Sequence, residues 1–104
     1  MRNAKVGRPM RRTDKNIVYH ELIGLQVEVM SHLNPSLIGV KGVVVDETMN
    51  TLRIADVNRR KIVTVMKSGG IFAFTIPESG TKVYIDGSQI VGRPEDRLKK
   101  LARR

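Results

Sequence analysis

Six short strand-like runs, some of them with a clear period of two, constrain the fold more than any other feature of the chain. The clearest run is LQVEVM at 25–30, where Leu25, Val27 and Val29 share one side. Successive side chains of a β-strand point to opposite faces, so the pattern predicts half-buried strands. The other runs are VKGVVVDET (40–48), TLRIADV (51–57), KIVTVM (61–66), IFAFTI (71–76) and TKVYID (81–86).

Turn-forming residues separate these runs. NPS at 34–36 marks a loop, NRR at 58–60 a tight hairpin turn, and SGG at 68–70 a further break. Gly42 inside the second run predicts a bulge or a sharp bend, and residues 89–91 predict a brief last strand that closes against the first. Short strands at this spacing are typical of a small barrel or sandwich, and a closed barrel leaves no exposed edges. We therefore predict an all-β fold, as a small twisted antiparallel barrel.

Both ends of the chain carry helix signals. Thr13 or Asp14 can cap a helix over 15–22, in which apolar residues recur every four positions. Near the other end, Pro94 suits the first helical position, and acids followed by cations complement the helix dipole. The predicted organisation is a basic flexible arm (1–14), a short helix plus barrel (15–92) and a basic C-terminal helix (93–104).

The net charge of +9 lies entirely at the two ends. Residues 1–15 hold six cations and one acid, residues 93–104 hold six cations and two acids, and the part between is neutral. Such basic ends favour encounter with a polyanion, although they could also serve only to keep the chain in solution. The absence of cysteine excludes disulfides and thiolate zinc sites, and no apolar run approaches the length of a membrane span. These features fit a cytoplasmic protein.

No catalytic apparatus is recognisable in the sequence. His20 and His32 are the only histidines, and neither has a second histidine at metal-ligand spacing, so surface or capping roles are expected. The carboxylates of the middle region fall mostly at strand ends and in turns, where acids usually cap. Aromatic residues are too few for a base-stacking platform, and Phe72 and Phe74 suit a core. The remaining chemistry favours binding the shape and backbone of a folded RNA.

Arg59, Arg60 and Lys61 occupy the turn between two strand-like runs. They could form an ordinary charged hairpin tip, but a neutral body with its cations gathered in one tip and two tails favours RNA contact. Charge and turn position predict a wider set of RNA-binding cations: Arg11, Arg12, Lys15, Lys41, Arg53, Arg59, Arg60, Lys61, Lys67, Arg93, Arg97 and Lys100.

Three segments of the chain closely resemble the archaeal ribonuclease P protein component 1 family: ELIGLQVEVMSHLNPSLIGVKGVVVDETMNTLRI, GGIFAFTIP and VYIDGSQIVGRPEDRLKK. The resemblance covers about residues 19–101. It implies an Sm-like barrel of twisted antiparallel strands flanked by short N-terminal and C-terminal helices. It also implies membership of a ribonucleoprotein whose RNA, with Mg²⁺, removes the 5′ leader of precursor tRNA. The chain itself would bind no cofactor and would be a non-catalytic RNA-binding subunit of that enzyme.

The resemblance also implies protein partners, namely a small zinc-ribbon subunit of ribonuclease P and other subunits of the complex. The contact made by the first helix maps to Ile17, Val18, Tyr19, Leu22 and Ile23. Two alternatives remain, a protein–protein adaptor whose tails only solubilise it, and a ribosomal or transcription-type RNA-binding barrel. The closing IDGSQIVGRPEDR segment argues against the second alternative.

Overall fold

A computed structural model describes residues 17–19 and 21–97. Its body is a six-stranded sheet in which all neighbouring strands are antiparallel, in the order β4-β3-β2-β1-β5-β6. The all-β antiparallel prediction is therefore confirmed, with six strands at the six strand-like runs. The strands are β1 (Gln26–His32), β2 (Lys41–Glu47), β3 (Thr51–Asp56), β4 (Lys61–Met66), β5 (Gly70–Thr75) and β6 (Lys82–Asp86).

The inward-facing side chains of the strands form one apolar core. Phe72 and Phe74 of β5 are both fully buried, with ring centroids 6.2 Å apart. Val27 and Val29 of β1 face the same interior, as their alternation predicts. Because the chain is poor in aromatic residues, the rest of the core is built from Val, Ile and Leu.

Contacts at the end of β4 curl the sheet. The Nε2 atom of His32 lies 2.9 Å from the Met66 carbonyl oxygen, and the Leu33 amide donates to the Gly69 carbonyl. Gly87, just after β6, lies so close to Lys67 that a Cβ atom there would be 1.6 Å from the Lys67 carbonyl oxygen. Both the end of β1 and the segment after β6 therefore pack against the end of β4.

The segment after β6 is a 3₁₀ turn over Gly87–Ile90, so the prediction of a last strand at 89–91 was wrong. Asp86 explains the difference, because it forms a capping box. Its carboxylate accepts from the Ser88 amide at 2.9 Å, and the Gln89 side chain accepts from the Asp86 amide at 3.3 Å. These bonds favour helical over extended backbone.

The second strand contains a bulge, but not at Gly42. The pairing of β2 with β3 shifts between Val44 and Asp46, which places Val45 in the bulge. Gly42 instead allows close backbone approach, since a Cβ atom there would lie 1.8 Å from the Ala55 carbonyl oxygen. The bulge reverses the alternation, so that Glu47 and not Asp46 faces the interior.

The predicted helix over 15–22 is a 3₁₀ turn over Ile17–Tyr19 in the part the structure describes, and residues 21–25 are not helical. Gly24 redirects the chain with φ +94°, and its amide donates to the Val44 carbonyl at 2.8 Å. At the other end, residues 94–97 are helical, and positions 98–104 of the predicted helix lie outside the described residues. No helix within 17–19 and 21–97 is long and apolar enough to cross a membrane.

Candidate nucleic-acid interface

The β3–β4 hairpin presents the three consecutive cations at its tip. Arg60 adopts a left-handed backbone (φ 55°), and its amide donates to the Asp56 carbonyl at 2.9 Å, which closes the turn. The Asp56 carboxylate also accepts from the Asn58 amide at 3.0 Å. The tip is therefore a tightly bonded turn with a defined shape.

The three tip cations are not equivalent. The Arg59 guanidinium donates from Nη2 to the Ser36 carbonyl at 2.6 Å, and its Nε lies 3.3 Å from the buried Asp56 carboxylate. It thereby ties the tip to the β1–β2 loop. Arg60 and Lys61 are exposed, and neither forms an ion pair with any residue in the described part of the chain. These two side chains are free to meet an anion.

His32 organises the loop that Arg59 contacts. Its Nδ1 atom accepts from the Asn34 amide at 2.9 Å, which leaves Nε2 to donate to Met66. Asn34 then caps the 3₁₀ turn Pro35–Leu37 by accepting from the Ser36 amide at 3.1 Å. The capping role expected for His32 matches this geometry.

Two cations predicted to contact RNA are buried instead. The Lys67 ammonium is fully buried and donates to the Glu47 carboxylate (2.8 Å) and to the carbonyls of Thr48 (2.8 Å), Met49 (3.2 Å) and Gly92 (2.9 Å). Burial lowers the pKa of Lys67, and the hydrogen bond and charge of Glu47 oppose that shift. The prediction that Lys67 contacts RNA was wrong, because all its donors point inward.

Arg97 belongs to the same buried group, and the prediction that it contacts RNA was also wrong. Its guanidinium bonds the Glu47 carboxylate and donates to the carbonyls of Gly92 (2.6 Å), Ile90 (3.1 Å) and Val18 (2.6 Å). We call Glu47, Lys67 and Arg97 the Glu47 cluster. Its role is structural, since one carboxylate joins two cations and, through them, four chain segments.

The remaining predicted cations divide by position. Within the described residues, Lys41, Arg53 and Arg93 are exposed, as the prediction requires. Lys82 of β6 is also exposed but was not among the predicted cations. Four predicted RNA-binding residues lie outside the described residues: Arg11, Arg12, Lys15 and Lys100.

A groove of about 290 Å³ opens beside the tip on the outer face of the sheet. The residues that line it include Lys41, Lys82, Glu28 and Val57. The Val57 amide donates to the Lys41 carbonyl at 2.9 Å, which holds the base of the tip against this groove. The groove therefore adds two exposed cations, Lys41 and Lys82, next to the base of the tip.

The predicted partner-binding residues are only partly accessible. Ile17 and Leu22 are core residues, so their assignment to a partner surface is corrected. Val18 is half-buried against the core, and Ile23 is 39% exposed. The side chain of Tyr19 is outside the described part of the structure. The first turn and the residues after it therefore place two of these apolar side chains in the core of the fold itself.

Comparisons with known proteins give a consistent answer. The family model for ribonuclease P/MRP, subunit p29, matches residues 15–100. The chain is 49% identical to ribonuclease P protein component 1 of Staphylothermus marinus, covering 90% of this chain and all of the relative. It is also 49% identical to the protein of that name from Methanocaldococcus jannaschii, covering 85% of this chain and 90% of the relative.

A solved structure agrees with the sequence relatives. It is that of Mth11, described as a homologue of human RNase P protein Rpp29, and it shares 45% identity with this chain. The superposition has a TM-score of 0.54 and covers 75% of this chain and 97% of the other. The region matched by the family model contains the whole six-stranded sheet, the hairpin tip and all three members of the Glu47 cluster. The chain belongs to the ribonuclease P/MRP subunit p29 family.

Proposed function

We propose that this chain is a non-catalytic, RNA-binding subunit of ribonuclease P that supports the RNA-catalysed removal of the 5′ leader of precursor tRNA. The observation that carries the proposal is the 49% identity to a protein named ribonuclease P protein component 1 over 90% of the chain. The free cations at the tip support it physically. Lys and Arg gain affinity for phosphate through charge and through release of counterions from the RNA.

On this proposal, the partners of the chain are the ribonuclease P RNA and other protein subunits of the enzyme. The complex would act in the cytoplasm. Among the proteins, a small zinc-ribbon subunit would meet the surface near the first 3₁₀ turn. Val18 and Ile23 are the described residues that would contact it, because their side chains are not fully buried in the core. The Mg²⁺ of the reaction would be held by the RNA.

Reconstitution of the enzyme tests the proposal. Ribonuclease P RNA and its protein subunits should cleave precursor tRNA faster at low Mg²⁺ when this chain is included. The physical reason is that protein cations neutralise phosphate charge that Mg²⁺ would otherwise have to screen. The matched control is an otherwise complete mixture without this chain. Equal cleavage in the two mixtures, with both active, would contradict the proposal.

The hairpin tip gives a residue-level test. The double variant Arg60→Ala/Lys61→Ala should bind ribonuclease P RNA with a shallower salt dependence, by about 0.7 to 0.9 in slope for each lost phosphate contact. Arg59 is left in place because it holds the tip to the β1–β2 loop. The control is Arg60→Lys, which keeps the charge and should keep the slope. The slope for each variant is measured by titrating RNA binding against salt concentration. An unchanged slope in the double variant would mean that the tip is an ordinary charged turn that does not contact RNA.

One observation favours a second candidate, the adaptor role. Val43, Val45 and Ile62 on the outer face are 38%, 41% and 49% exposed. Val43 pairs with Ala55, which pairs with Ile62, so an apolar row crosses three strands. Contiguous exposed apolar side chains mark protein contact surfaces. An adaptor would bind RNA weakly and without regard to Arg60 and Lys61, so the salt titration separates the two candidates.

A further inference from the structure

The groove beside the tip owes its depth to the register of four strands. Tyr84 pairs with Ala73, Ala73 with Glu28, and Glu28 with Lys41. The small side chain of Ala73 points to the outer face yet is only 5% exposed, so it lies at the floor. Lys41 of β2 and Lys82 of β6 line the groove on either side of Ala73. The outer face is therefore concave here.

The charged groups of the groove are unpaired in the described part of the chain. Glu28 and Lys41 are direct cross-strand partners of opposite charge, but they do not form an ion pair. Lys82 on the opposite side also lacks one. Opposite charges in this register stabilise a sheet when they pair. Here they stay apart and leave their hydrogen-bonding capacity for another molecule.

The size and chemistry of the groove suit one occupant. At about 290 Å³ it is at the lower end of small-molecule sites, large enough for a flat base but too small for a helix of a partner protein. Val43 and Val57 offer apolar contact for the face of a base. Lys41 and Lys82 offer charge for the phosphates that flank it. Sequence-specific RNA recognition uses unpaired bases of this kind, read along their edges.

Glu28 is the single acid on the lining of the groove. Its charge determines how a bound nucleotide would be oriented and which base would fit. Glu28 would repel a phosphate, so the base edge and not the backbone must face it. A carboxylate only accepts hydrogen bonds. Guanine presents two adjacent donors, N1–H and the 2-amino group, whereas adenine presents an acceptor at N1. Gln26, also on the lining, can donate its amide to the guanine O6 atom.

We propose that this groove binds one unpaired guanine nucleotide of the RNA, with Glu28 reading the base and Lys41 and Lys82 holding the neighbouring phosphates. The inference rests on the proposed function, because the tip beside the groove would deliver the RNA strand to it. It also goes beyond the expectation from composition, which was that the chain recognises the shape and backbone of a folded RNA and does not read its bases.

Short RNA probes test the inference with the full chain. A single-stranded oligouridylate with one central guanosine should bind about ten-fold more tightly than the same strand with adenosine, as expected for a bidentate contact to a base edge. Replacement of the guanosine by inosine, which lacks the 2-amino group, should remove most of the preference. Fluorescence anisotropy measures all three affinities without any change to the protein.

Two variants assign the roles. Glu28→Gln should abolish the preference for guanosine, because a neutral amide also presents a donor. Lys82→Ala should weaken all the oligonucleotides alike and lower the salt slope by about 0.7, the value for one phosphate of a single strand. Circular dichroism confirms that each variant is folded. Equal affinity for the guanosine and adenosine strands in the unmodified chain would overturn the inference.

These experiments distinguish a failure of the groove inference from a failure of the proposed function. If the tip variant loses RNA affinity and guanosine carries no advantage, the groove inference fails and the proposed function stands. If the unmodified chain neither binds ribonuclease P RNA nor raises cleavage, both fail. If Glu28→Gln and Lys82→Ala weaken binding to another protein subunit and leave the oligonucleotide affinities unchanged, the groove is a protein contact and the inference is overturned.

Discussion

Replacing Glu47 by Gln should lower the free energy of unfolding by about 3–5 kcal/mol, the usual cost of leaving a buried ion pair without one partner. Glu47 is the only acid in the Glu47 cluster, so its loss leaves two buried cations facing each other. The substitution keeps the size of the side chain, and no cavity forms. Urea titration followed by circular dichroism measures the change.

The matched control for this prediction is Glu21→Gln. Glu21 is an exposed acid, and its neutralisation should change stability by less than about 0.5 kcal/mol. A loss below about 1 kcal/mol in Glu47→Gln would mean that Lys67 and Arg97 are satisfied by their carbonyl partners alone. In that case the carboxylate would not be what joins Arg97 and Val18 to the sheet.

Gly87→Ala should lower the free energy of unfolding by about 3 kcal/mol or more, because the new Cβ atom would clash with both a backbone carbonyl and an aromatic ring. It would lie 1.6 Å from the Lys67 carbonyl oxygen and 2.8 Å from Cε2 of Phe72. Neither neighbour is the free end of a flexible side chain. The 3₁₀ turn would have to move away from the end of β4, which opens the core at Phe72. Thermal unfolding measures the loss.

Gly80→Ala is the control for Gly87→Ala. Gly80 has φ +74°, and a Cβ atom added there would have no neighbour within 4 Å. Alanine at this position should therefore cost only the left-handed backbone penalty of about 1–2 kcal/mol. The two variants thus measure the two costs separately, because only Gly87 has close neighbours and only Gly80 has a positive φ. Equal losses would show that the segment after β6 can shift without disturbing the sheet.

The strands were predictable from sequence because each is encoded locally. Alternation over five to seven residues and the turn residues between runs specify strands and hairpins with no knowledge of their neighbours. The bulge at Val45 was not predictable in this way. It changes which residue of β2 faces inward, so a strict period of two assigns Asp46 to the core and Glu47 to the surface.

The buried cations show that the charge of a residue does not by itself predict whether its side chain is exposed. Lys67 continues the inward positions Val63 and Val65 of β4, so its place in the alternation indicated burial although its charge indicated exposure. In that case periodicity was the better guide. The groove had no local signal, since it depends on the pairing of β1 with the distant strand β5.

The bond from Arg97 to the Val18 carbonyl joins residues 79 positions apart. Val18 follows the basic stretch 1–15 in sequence, and Arg97 belongs to the basic stretch 93–104. The unfolded chain carries the same charge, but there the two ends are separated by nearly the whole length of the polypeptide. Folding therefore brings together two points of the described body, one near each of these stretches of sequence. Two weak anion-binding segments that are attached at neighbouring points can engage one polyanion together, with the high effective concentration that tethering confers.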